Sequence, residues 1–159
     1  MNNNDANVNI TFISNQVEST LDSTRNFGIF LNKSLSIIKM CHWYTEDYNV
    51  HKILGKVYDN LSDLFDSLQE EIIGTVKQQG KPFPEIFIEI DLENIQNYRH
   101  MNDINMQSYY KASQSIIAAL TSQEVTSYVL SVVSGINNTK EEIISTLNNS
   151  NYLLSMVKV

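Results

Sequence analysis

Residues 48–77 read YNVHKILGKVYDNLSDLFDSLQEEIIGTVK, and this stretch decides the fold. Val50, Leu54, Val57, Leu61, Leu64, Phe65, Leu68, Ile72 and Val76 recur at steps of three and four, the repeat of one helix face. No proline interrupts the run. A second stripe precedes it, from about Asn15 to Tyr44. It passes through Val17, Leu21, Phe27, Phe30, Leu31, Leu35, Ile37, Ile38 and Cys41, with Asn15 and Glu18 placed to cap its start. Only Thr45-Glu46-Asp47 separates the two stripes. So short a connection lays two long helices side by side and antiparallel.

Beyond the hairpin, Gln79-Gly80-Lys81-Pro82-Phe83-Pro84 stops the second helix, since both prolines oppose its continuation. Glu85 to Ile90 is compatible with an extended piece, and a connector this long lets the next helix begin at the far end of a bundle. A third helix is expected over about Asp103 to Leu120, with Tyr109, Ala112, Ile116, Ile117 and Leu120 facing in. Thr121-Ser122-Gln123-Glu124 reads as a capping box opening a fourth segment that runs to the C-terminus. Gly135-Ile136-Asn137-Asn138 would interrupt that segment. Thr139-Lys140-Glu141-Glu142 would cap a fresh start, followed by Ile143, Leu147, Leu153, Leu154 and Val157. The expected fold is all-α: one four-helix bundle over residues 1–159, with a long crossover between helices 2 and 3. The Asn-rich residues 1–13 form an expected mobile or extended tail.

Composition bounds the function. The 159 residues suit a single core, and five glycines with two prolines disfavour a turn-rich β sandwich. No apolar run approaches the roughly 20 residues of a membrane span, and no basic-then-apolar leader opens the chain, so no membrane partner is expected. A single cysteine excludes an internal disulfide framework and suits a reducing, cytoplasmic setting. Eleven Lys and Arg against eighteen Asp and Glu leave a net charge of −7, with a pI near 4.8. Duplex DNA is normally held by a basic face, so nucleic acid is not an expected partner.

Chemistry concentrates at the hairpin. His42 and His51 flank its turn, and Asp59, Asp63, Asp66, Glu70 and Glu71 follow on the second helix. Imidazole with carboxylate suits iron, zinc or manganese. Acids on a helix are most often its solvated face, which is the plain alternative. At about 100° per residue, His51 lies roughly 90° from the centre of the apolar stripe, and Asp66 and Glu70 lie further round on the same side. Asp66 and Glu70 are one turn apart and can grip one ion together. His51 and Asp66 stand about 22 Å apart along a straight helix and cannot share a metal within one chain. A two-fold dimer with antiparallel hairpins removes that obstacle, giving two equivalent sites per interface. The other candidates have plainer readings. His100 reads as a surface histidine and Cys41 as a buried structural thiol. Tyr109, Tyr110 and Tyr152 read as core or interface residues. Glu142 is placed by spacing toward the core, where it could add a ligand.

His42-Trp43, then His51, Tyr58, Asp66 and Glu70, resembles the mini-ferritins of the Dps (DNA protection during starvation) family. His42-Trp43-Tyr44-Thr45 through Gly55, Tyr58-Asp59, Asp66, Glu70 and Gly74 is more similar still to ferritin-like proteins encoded by tailed phages and large DNA viruses. The ending, Glu141-Glu142-Ile143-Ile144 through Tyr152-Leu153-Leu154, is similar to that group as well. The resemblance implies a homodimer or higher oligomer in which His42 and His51 of one chain and Asp66 and Glu70 of another bind iron. It further implies ferroxidase-like oxidation of Fe(II) by peroxide or oxygen, and for a viral protein a location in the host-cell cytoplasm. Two departures qualify it. The interval from His42 to His51 is shorter than the mini-ferritin norm, and Gly55 stands where those proteins carry a further iron-binding Asp. A single metal then fits better than a two-iron centre. The basic DNA-holding tail of some members is missing. The alternative is a helical oligomer without enzymatic activity that binds a host protein or a small signalling molecule.

Overall fold

The computed structural model describes residues 27–79, 105–121 and 134–157, and among these it contains four helices and no strand. They are α1 (27–44), α2 (Tyr48–Gln79), α3 (Met106–Thr121) and α4 (Ser134–Ser155). The all-helical expectation holds. The expected start of α1 at Asn15, the tail over 1–13, the extended piece at 85–90, His100 and most of the capping box at Thr121 lie outside the described residues.

α1 and α2 form the expected hairpin, broken at 45–47. Gly28 lies against the Gln69 side chain, the Lys39 ammonium donates to the Tyr58 hydroxyl, and Gly55 abuts the His42 ring. Eleven residues forward from Gly28 to Lys39 correspond to eleven back from Gln69 to Tyr58, and three more reach His42 and Gly55. The register is therefore constant and antiparallel. Asp47 sets the start of α2. Its carboxylate accepts from the Asn49 and Val50 amides at 2.7 and 3.1 Å, satisfying donors that the first helical turn leaves unpaired.

The inward stripe of α2 is as expected for Val50, Leu54, Val57, Leu61, Phe65, Leu68 and Ile72, all buried. Leu64 is only half-buried. In α3, Tyr109, Ala112, Ile116 and Leu120 are buried, while Ile117 packs at the edge of the core. Ser108, Ser113 and Ala119 share the buried face, which lets α3 sit close to its neighbours.

Asn105 ties the start of α3 to the hairpin. Its side chain accepts from the Gln107 amide at 2.8 Å, its own amide donates to the Ser108 hydroxyl, and its carbonyl accepts from the Cys41 thiol at 3.4 Å. α3 therefore begins beside the α1–α2 turn. At the other end, the Thr139 hydroxyl of α4 donates to Glu71 near the end of α2. Tyr109 of α3 meets Ser150 in the second half of α4 at 2.6 Å. α4 thus runs antiparallel to α2 and finishes at the turn end of the bundle.

One element differs from the expectation. α4 starts at Ser134 and passes through Gly135–Asn138 without a break, so Thr139 is an interior residue rather than a cap. Ile136, only 1 % exposed, anchors this extra turn in the core, and the Thr139 hydroxyl is engaged across to α2. Ile143, Leu147 and Leu154 are buried as expected, whereas Leu153 is 41 % exposed and Val157 half-buried.

Candidate metal centre

His42 occupies the last turn of α1 and His51 the first turn of α2, so the three-residue turn between them brings the two imidazoles together. They stack, with ring centroids 3.9 Å apart and planes 27° off parallel. Each ring also bonds to the other residue's main chain. His42 Nδ1 lies 2.8 Å from the His51 carbonyl, and His51 Nδ1 lies 2.9 Å from the His42 carbonyl. A carbonyl oxygen only accepts, so both Nδ1 atoms carry the proton. In the neutral ring this leaves Nε2 with a free lone pair. That is the tautomer in which histidine binds metals, with the other nitrogen fixed by a backbone carbonyl. Each ring's orientation is held by the other residue's carbonyl.

Gly55 is explained by the same pair. A Cβ at this position would sit 3.0 Å from His42 Cε1 and 3.3 Å from Nδ1. The His42 ring fills the space where the resemblance would put another acidic ligand. Any side chain there would press on the His42 ring, which would have to give by a few tenths of an ångström.

Around the pair, the Lys39 ammonium donates to the Tyr58 hydroxyl at 3.0 Å, lies 4.5 Å from the Tyr58 ring centroid and faces Trp43 at 5.3 Å. Trp43 itself is 59 % exposed, and its neighbours Tyr44 and Tyr48 are also exposed.

Asp66 and Glu70 occupy the second half of α2, one turn apart and both exposed. Asp66 lines a cleft against α1 together with Gly28, Asn32 and Asp63. α2 is a continuous helix from Tyr48 to Gln79, so the acidic pair stays about 22 Å along it from the histidines. Among the described residues, no three His, Cys, Asp or Glu side chains of one chain gather into a metal-holding group. Within one chain the histidine pair and the acidic pair stay apart.

The remaining candidates resolve differently. Cys41 is buried, donates its S–H to Asn105, and burial pushes its thiol up to about 11, so it stays protonated. Tyr109 is fully buried, and Tyr110 packs edge-on against it. Tyr152 is exposed rather than in the core. Glu142 corrects the expectation of an inward ligand. Ile136, Ile143, Leu147 and Leu154 take the core face of α4, which turns Glu142 outward to line a groove against α2. That groove, the reciprocal histidine bonds and the Asp47 cap have no clear signature in the sequence. The proximity of His42 and His51 to one short turn was the available sign of the second.

No protein family, curated protein or solved structure compared with this chain matches it.

Proposed function

We propose that this protein is a ferritin-like, iron-binding homo-oligomer whose sites form between two-fold-related chains. The observation that carries the reading is the histidine pair, whose reciprocal Nδ1 bonds leave Nε2 as the nitrogen open to a ligand on each ring. One chain cannot bring Asp66 and Glu70 to them. A two-fold axis between antiparallel hairpins would set the histidines of each chain against the acids of the other. Hard carboxylate oxygens with imidazole nitrogens suit Fe(II) as substrate and favour Fe(III) as product, with zinc or manganese as competitors. The fold supports the reading too. α2 ends far from the α1–α2 turn and α3 begins beside it, as a ferritin-like crossover between helices 2 and 3 requires.

The test is subunit complementation. Purified protein loaded anaerobically with Fe(II) is expected to hold near-stoichiometric iron in a dimer or larger assembly. His51→Ala and Asp66→Ala are each expected to lose it. In a mixed dimer refolded from the two variants, one site combines both defects and the other is intact, so about half the iron returns. Unchanged iron in either variant, or no recovery on mixing, sinks the proposal.

A second reading is favoured by Gly55, whose space the His42 ring fills and which cannot offer a further acid. On that reading the protein is an oligomer without redox activity that binds a host protein or small molecule. An oligomer that takes up no metal after Fe(II) loading selects it.

A further inference from the structure

On the flank of α2 away from α1, a groove of about 610 Å³ runs between α2 and α4. This is within the range of small-molecule sites, roughly 300–1,000 Å³. Its floor is apolar, from Ile53, Val57 and Leu153. Lys52 and Lys56, one helical turn apart, form the cationic edge. Among the described residues neither lysine has a hydrogen bond or an ion pair, although the Lys52 ammonium lies 5.7 Å from the Tyr48 ring. In a chain of net charge −7, two unpaired ammoniums on one groove are a local reversal of sign. The other end is different. α4 runs antiparallel to α2, so Glu142 falls at the Asn60 end, roughly 6–12 Å along α2 from the lysines. Asn149 on the α4 side and Asn60 on the α2 side offer amide donors and acceptors.

We propose that this groove binds a phosphorylated small molecule of nucleotide size. Its phosphate lies between Lys52 and Lys56, with Asn149 across from them on α4, its apolar ring face lies on Ile53 and Val57, and its hydroxyl or amino hydrogens reach Asn60 and Glu142. Two cations at one end and an acid at the other define a ligand that is itself anionic at one end and donor-rich at the other. A bare phosphate uses only half the groove, and a nucleoside without phosphate leaves the lysines unanswered. The proposal does not rest on the metal reading, since the groove and the histidines lie on different flanks of α2.

The test is calorimetric titration of the full chain with the four ribonucleoside 5′-monophosphates, the matching nucleosides and inorganic phosphate. At least one monophosphate is expected to bind once per chain, about tenfold or more tighter than its nucleoside or phosphate alone, as one or two charge-assisted hydrogen bonds would provide. Lys52→Ala with Lys56→Ala is expected to weaken that binding by a further tenfold or so. Both side chains are exposed, so the melting temperature and iron content should stay at the parent values. Absence of binding by every monophosphate at about 1 mM overturns the proposal, as does binding unchanged by the double substitution. A double variant that falls to a smaller assembly overturns it in another way, by making the groove an interface between copies.

Discussion

At the residue scale, Gly55 and Gly74 make a matched pair on α2. Both sit inside a helix, where alanine is favoured over glycine by about 0.8–1.0 kcal/mol. At Gly74 a Cβ meets nothing within 4 Å, so Gly74→Ala is expected to stabilise by about that amount. At Gly55 the Cβ would sit 3.0 Å from a His42 ring that is held by its hydrogen bond to the His51 carbonyl at 2.8 Å and stacked on the His51 ring. To give way by a few tenths of an ångström the ring must strain that bond and the stack, an overpacking cost of about 1–3 kcal/mol. The second effect wins, and Gly55→Ala is expected to destabilise by about 1 kcal/mol. Chemical unfolding of the two variants checks the opposite signs. Equal stabilisation would mean that the imidazole pair is not locked. In sequence, Gly55 stands out only as a departure from the resemblance. Its cause, an imidazole from the preceding helix, requires the hairpin register to be known.

At the element scale, α1 and α2 were legible because each has a long apolar stripe and the break between them is abrupt. The end of the break was less so. Asp47 closes it by accepting from the Asn49 and Val50 amides, and Asp47→Ala is expected to cost about 1 kcal/mol, within the 0.5–2 typical of a lost cap. Thermal unfolding measures this, and Asp47→Asn, which can still accept, should recover most of it. α4 shows the opposite failure of local signals. Gly135, Asn137, Asn138 and the Thr139–Glu142 pair read as a stop and a restart, yet the helix is continuous from Ser134. Burial of Ile136 against the core outweighs the poor propensity of its neighbours, about 0.8–1.0 kcal/mol at Gly135 and less at each Asn. In the same helix Glu142 is exposed, which removes both the further ligand and the cap that its position suggested.

At the scale of the whole molecule, α3 has polar ties on both sides, among them the Asn151 amide of α4 donating to the Ser113 hydroxyl at 3.0 Å. The Cys41 thiol donates to the Asn105 carbonyl, joining α3 to α1. The Ser150 hydroxyl donates to the Leu147 carbonyl, so the Tyr109 hydroxyl is the donor in its bond to Ser150, joining α3 to α4. Burial pushes Cys41 up to about 11 and Tyr109 up to about 12, from 9.0 and 10.0. The folded state therefore keeps protons that the unfolded chain releases first, and the unfolding free energy falls with pH across that interval. The stability these groups contribute is fully present below pH ~9 and is lost as the pH rises through about 11 for Cys41 and about 12 for Tyr109. Each group is worth up to ~2–3 kcal/mol over its interval, at about 1.4 kcal/mol per pH unit. Tyr109→Phe should remove the upper part of this slope in denaturant titrations from pH 9 to 12. A slope unchanged by that substitution would place the alkaline sensitivity elsewhere.

Apolar periodicity determined that this chain is helical, that its first two described helices form an antiparallel hairpin, and that His42 and His51 flank the turn. These follow from local order, because a stripe at steps of three and four and a three-residue break are properties of neighbouring residues. The tertiary structure alone decided how the histidines meet, through each other's carbonyls, and why position 55 carries no side chain. It decided the unbroken course of α4 and the outward turn of Glu142. It also decided the polar groove between α2 and α4. Each of these depends on which groups distant in sequence come within a few ångströms, and that depends on helix register and core burial rather than on the spacing of residues along one strand of chain.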